Sequence, residues 1–138
     1  MSTNQITISA DVAADPDTVW TAYTSPDHIT QWNFASDDWC CPTASNDLRV
    51  GGAYSARMEA KDGSFGFDFT AIYDAVDPAK SFTYTMEDGR KVTTTFDPQN
   101  DTTRVTTTFD AETQNPVEMQ REGWQAILNN FKTHAESL

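Results

Sequence analysis

The sequence predicts an α+β protein. A curved antiparallel sheet of about six to seven strands carries two short helices after its first strand and one long C-terminal helix across one face. Three observations predict this. Only one segment, Asn115 to Leu138, repeats apolar residues at helical spacing over many turns. From Asp47 to Phe109 short alternating stretches follow one another, joined by tight-turn signals. Two helix-start signals stand back to back just after the first alternating stretch. A sheet with an apolar face and one long helix is expected to lay that helix on the face.

Thr3 to Ala10 reads as the first strand, with Ile6 and Ile8 on one side. Asp15-Pro16 opens a helix, Asp as the cap and Pro at the first position, and Val19, Trp20 and Tyr23 form its apolar stripe. Ser25-Pro26-Asp27 repeats the signal, so a second helix runs to about Trp32. Asn33 to Asn46 lacks a clean period and reads as a loop carrying Phe34, Trp39 and two cysteines. Leu48 to Val50 is expected to be a short strand, broken by a bend at Gly51-Gly52. Ala53 to Ala60 alternates, with Tyr54, Ala56 and Met58 on one side, and Lys61 to Ser64 makes a turn. Phe65, Phe67, Phe69, Ala71 and Tyr73 then share a face. Phe82, Tyr84 and Met86 belong to the next strand, Val92, Thr94 and Phe96 to another, and Thr103, Val105, Thr107 and Phe109 to the last. In the C-terminal helix Asn115 is the expected cap, with Pro116 first and Glu118 completing a capping box. Met119, Trp124, Ile127, Leu128, Phe131 and Ala135 are its apolar stripe, on a rod of roughly 33 Å.

Composition bounds the function. A chain of 138 residues is expected to form a single domain spanning 1–138, and 38% apolar residues, 12% of the chain being aromatic, suffice for a core. A net charge of −12 argues against nucleic acid and anionic membranes as partners. No apolar run approaches membrane-spanning length, and Met1 to Gln5 lacks signal-peptide character, which points to the cytoplasm. Cys40 and Cys41 are adjacent and read as ordinary thiols. His28 and His134 stand at no metal-ligand spacing and read as exposed. Neither metal nor cofactor is expected.

The order of elements and four motifs resemble the START-like superfamily, also called SRPBCC, birch-pollen-allergen-like or helix-grip. Within it the chain resembles the family named for the activator of the heat-shock-protein-90 ATPase, in its small single-domain bacterial form. The motifs are Asp15-Pro16-Asp17-Thr18-Val19-Trp20 with Ser25-Pro26 and Trp32; Asp47 to Tyr54 with Met58 and Asp62-Gly63; Asp77-Pro78 before Phe82; and Gly123-Trp124 with Leu128. The resemblance implies a cavity between sheet and helix, which other superfamily members use for lipids, sterols, polyketides or plant hormones. A few members are enzymes.

The function expected is binding of an apolar or amphipathic small molecule in that cavity, with no catalysis assigned. The alternatives are a chaperone-accessory or other protein-interaction module, or an enzyme of the cyclase or hydrolase type. Candidate cavity residues are Trp32, Tyr54, Met58, Phe67, Phe69, Tyr84, Thr94, Thr107, Gly123, Trp124 and Ile127. Arg49 is the candidate anchor for a ligand anion, or else part of a surface salt bridge. Gly123 costs a helix about 1 kcal/mol, which close approach of a strand or a ligand would offset. No nucleophile elbow, phosphate loop or His-Glu metal motif occurs, so no catalytic residue is assigned. The assembly is expected to be a monomer or a homodimer.

Overall fold

The computed structural model describes residues 5–138. Along the chain run β1 (Gln5–Val12), α1 (Pro16–Thr24), α2 (Pro26–Trp32), β2 (Trp39–Cys40), β3 (Ala44–Asn46), β4 (Ala53–Ala60), β5 (Gly66–Asp77), β6 (Ser81–Met86), β7 (Lys91–Pro98), β8 (Thr103–Asp110) and α3 (Val117–Glu136). All strand pairs are antiparallel. The strands form one curved, unclosed sheet in the order β1-β8-β7-β6-β5-β4-β2, and β3 also pairs with β4. Thr3 and Asn4, part of the first expected strand, lie outside the described residues.

Most elements form for the reasons readable in their residues. Asp15 caps α1, its Oδ1 accepting the Thr18 amide at 2.7 Å. Pro16 and Pro26 open the two short helices, where a missing N–H costs nothing. Alternation puts Tyr54, Ala56 and Met58 of β4, Phe82 and Tyr84 of β6, and Val105, Thr107 and Phe109 of β8 on the covered face. β5 is bulged between Tyr73 and Ala75, which increases local twist.

Four expectations are corrected. Leu48 to Val50 is not a strand. It is the turn between β3 and β4, closed by the Asp47 amide donating to the Ala53 carbonyl at 2.9 Å, and Val50 is exposed. The Asn33–Asn46 segment is not all loop, because β2 and β3 take strand geometry from β4, not from any alternation of their own. The sheet thus has eight strands. Third, α3 begins at Val117 with Pro116 at the cap and no side-chain cap. The Asn115 amide instead donates to Glu112 Oε1 at 3.0 Å, and buried Gln120 bonds the Glu112 and Asn115 backbone. Fourth, Met119 on the expected stripe is 58% exposed.

The core divides in two along α3. Its C-terminal half buries Leu128, Phe131 and Ala135 against α1, α2 and the sheet. Phe131 packs edge-on against Tyr23 and Trp32, with ring centres 4.8 and 5.0 Å apart. In the N-terminal half Trp124 and Ile127 are only half-buried. Two short helices and α3 cannot cover a sheet of this width, so space is left between the sheet and α3.

Candidate ligand-binding site

That space is a recess of about 180 Å³. The sheet contributes Ile8, Tyr54, Met58, Phe67, Phe69, Tyr73, Phe82, Tyr84 and Thr107. Helix α1 adds Tyr23, the end of α2 adds Trp32 and Asn33, and α3 adds Trp124, Ile127 and Leu128. Three of these side chains are held from behind. Trp124 stacks on Phe109 with ring centres 3.9 Å apart and planes 13° from parallel. Trp32 donates its indole N–H to the Ala22 carbonyl at 3.0 Å. Asn46 donates to the Thr24 carbonyl at 2.7 Å and accepts the Tyr73 hydroxyl at 2.8 Å, tying α1 to β3 and β5.

The polar groups of the recess are mainly phenols. Tyr54 and Tyr84 stack with ring centres 5.7 Å apart. The Asn33 amide donates to the Tyr54 hydroxyl at 3.3 Å. Tyr84 is 8% exposed, and its hydroxyl has no hydrogen-bond partner among the described residues. Burial pushes the Tyr54 and Tyr84 phenols far above their ordinary range, with the neighbouring phenols adding to the effect. Burial likewise raises Tyr23 and Tyr73. Cys41, beside this group, is pushed up to about 11 by burial first and Cys40 second. All these groups stay protonated at neutral pH. They donate hydrogen bonds and cannot serve as bases. The lining holds no carboxylate, imidazole or amine among the described residues.

Nine of the sequence candidates meet here: Trp32, Tyr54, Met58, Phe67, Phe69, Tyr84, Thr107, Trp124 and Ile127. Thr94 does not line the recess. It is fully buried behind it, its hydroxyl 3.0 Å from that of Thr107. Gly123 faces a neighbouring hollow, and a methyl group added there would meet nothing within 4 Å, so no strand packs closely against it. Arg49 lies away from the recess with its side chain 76% exposed, bound to Asp47 at 2.9 Å. His28 and His134 are not separately solvated. They share a hydrogen bond, Nδ1 to Nε2, of 2.9 Å between α2 and α3.

Six lining residues were not among the sequence candidates: Ile8, Tyr23, Asn33, Tyr73, Phe82 and Leu128. Tyr23 sits in an apolar helical stripe and looks like core, and Asn33 is one residue beyond a helix that no periodicity marks.

A family model described as "Activator of Hsp90 ATPase homolog 1-like protein" matches residues 13–136. The chain belongs to this AHSA1-like family. Among solved structures it is similar to the AHSA1-like protein from Aeromonas hydrophila, at 42% identity and a TM-score of 0.91, covering 97% of this chain and 93% of that one. It is also similar to Chr148 from Cytophaga hutchinsonii, at 45% identity and a TM-score of 0.84, covering 96% and 92%. Protein CV1439 from Chromobacterium violaceum, 24% identical with a TM-score of 0.87 over 96% and 98%, shares the fold. No curated protein sequence matches this chain. The AHSA1-like fold is thus carried by the whole described sheet and α3. No helix of the described residues is long and apolar enough to cross a membrane.

Proposed function

We propose that this AHSA1-like protein binds a small apolar or amphipathic molecule between the curved sheet and α3, without acting on it chemically. The observation that carries the reading is the recess itself. Its walls are aromatic and aliphatic, and Tyr84, itself buried, lines it with a hydroxyl that has no partner among the described residues. Such sites bind by burying apolar ligand surface, while a few polar groups set the orientation. Volume sets the size of the ligand. An engineered apolar cavity of about 150 Å³ holds benzene. A recess of about 180 Å³ suits a single ring or a fused bicycle better than a sterol or a long acyl chain. The phenols, all neutral, favour a bound acceptor near Tyr84 and speak against acid–base catalysis.

The test is native mass spectrometry of gently purified protein, then a thermal-shift screen of small aromatic and aliphatic compounds. A ligand at 100 times its dissociation constant stabilises the fold by about 2.7 kcal/mol. Tyr84→Phe should weaken binding of oxygen-bearing ligands and spare plain hydrocarbons. A bare mass with a flat screen sinks the proposal.

A second reading, a protein-interaction surface, has one observation in its favour. Trp39, Phe65 and Phe67 cluster edge-to-face at the β2–β4–β5 margin, and Phe65 is 60% exposed. Truncating Phe65 should then abolish capture of a partner without changing ligand binding.

A further inference from the structure

The recess does not end at its aromatic lining. Phe67, Phe69 and Trp124 also wall a second hollow of about 500 Å³ between β5, β6 and the start of α3. The two spaces differ in charge. The recess lining holds no ionised group among the described residues, whereas Glu87, Asp88 and Glu112 line the hollow; Asp68 also borders it, but its carboxylate is paired with Arg57 of β4 at 3.5 Å. The only cation lining it among the described residues is Arg90, already bound to Asp88 at 2.7 Å. Glu112 is half-buried, accepts the Asn115 amide at 3.0 Å, and forms no ion pair among the described residues. Glu87 is exposed and likewise unpaired among them. Independent of the acids, the Tyr84 hydroxyl at the recess has no hydrogen-bond partner among the described residues.

We infer that the ligand is a cationic amphiphile: an apolar ring in the recess joined to an ammonium or guanidinium group in the hollow. This rests on the binding reading above and names its ligand class. A cation there would meet the Trp124 and Phe69 rings on one side and unpaired carboxylates on the other, both of which attract it. An anionic amphiphile, such as a fatty acid, would set like charge beside Glu112. The net charge of −12 acts in the same sense at long range, gathering cations and repelling anions.

Three probes sharing one indole ring test this by calorimetry: tryptamine, the neutral tryptophol and the anionic indole-3-propionate. Tryptamine should bind at least tenfold more tightly than indole-3-propionate at 20 mM salt, and the gap should shrink at 200 mM. Glu112→Gln should bring tryptamine down to the level of tryptophol and leave tryptophol unchanged. Because Glu112 also holds Asn115, Glu87→Gln serves as a second variant and should give a smaller loss of the same kind. Equal affinity for the three probes, tighter binding of the anion, or no response to either variant overturns the charge assignment alone. Failure of all three to bind overturns both this inference and the recess as a site for ring-sized ligands.

Discussion

Replacing Gly123 with alanine should stabilise this protein. Gly123 is the seventh residue of a 20-residue helix, well inside its first and last turns. Glycine there costs about 1 kcal/mol relative to alanine, through backbone entropy lost on folding. In most buried helices that cost is offset by a neighbour packed where Cβ would be. Here the added methyl meets nothing within 4 Å, so the full gain should appear. For a chain of 138 residues, about 1 kcal/mol corresponds to roughly 3–5 °C in melting temperature. With a urea m-value of about 2 kcal/mol/M the midpoint should rise by about 0.5 M. Matched urea titrations of wild type and Gly123→Ala, followed by circular dichroism, measure it. An unchanged or lower midpoint, at equal m, refutes the argument and places something against Gly123 in solution. The larger Gly123→Leu separates stability from use of the hollow. It should keep the helix gain yet weaken tryptamine binding, because its side chain enters the space that Gly123 leaves open.

Three further outcomes follow from the same geometry. Thr94→Val or Thr107→Val alone should cost about 1–3 kcal/mol, since each strands the other's buried hydroxyl, while the double variant should cost clearly less than the sum; additive losses in denaturant titrations would count against the pairing. Burial, and secondarily the nearby His28, lower the affinity of His134 for its proton, so the unfolded chain binds that proton more readily. This contribution to stability is therefore full above about pH 6.5 and declines as pH falls below it, and melting curves of His134→Gln against wild type from pH 8 to 5 should converge toward the acid end. Gly52→Ala would place Cβ 2.0 Å from the Asp47 carbonyl oxygen and should cost about 3 kcal/mol or more, whereas Gly51→Ala, strained only by a φ of +83°, should cost about 1–2 kcal/mol, a contrast that thermal melts resolve.

Much of the architecture was legible because local chemistry and tertiary context agree. Asp15-Pro16 and Ser25-Pro26 start helices here as their residues predict, and β4, with Tyr54, Ala56 and Met58 on one face, spans Ala53 to Ala60 as expected. The misses share one cause. Leu48 to Val50 looks strand-like by composition, yet the hydrogen bonds there close a turn, while β2 and β3 have no alternation and exist because β4 offers an unpaired edge. The start of α3 was misplaced for a similar reason: Asn115 is a good cap in isolation, but Glu112 and Gln120 take its hydrogen-bonding groups first.

The sequence by itself determined the layers: which residues form strands, which face of each strand is apolar, and that a single long helix must lie on that face. Those follow from periods of two and 3.6 residues, which any stretch of chain carries in its own order. Only the tertiary structure decided where that face is packed and where it is left open. Phe131 and Trp124 look equally apolar in sequence, yet one is core and the other walls a hollow, because the width of the sheet exceeds what three helices cover. It also decided that Arg49 stands apart, that His28 meets His134 across 106 residues, and that carboxylates from the β6–β7 turn and the segment before α3 gather beside the aromatic recess. Distances between residues far apart in the chain are set by strand order and helix placement, which no local pattern encodes.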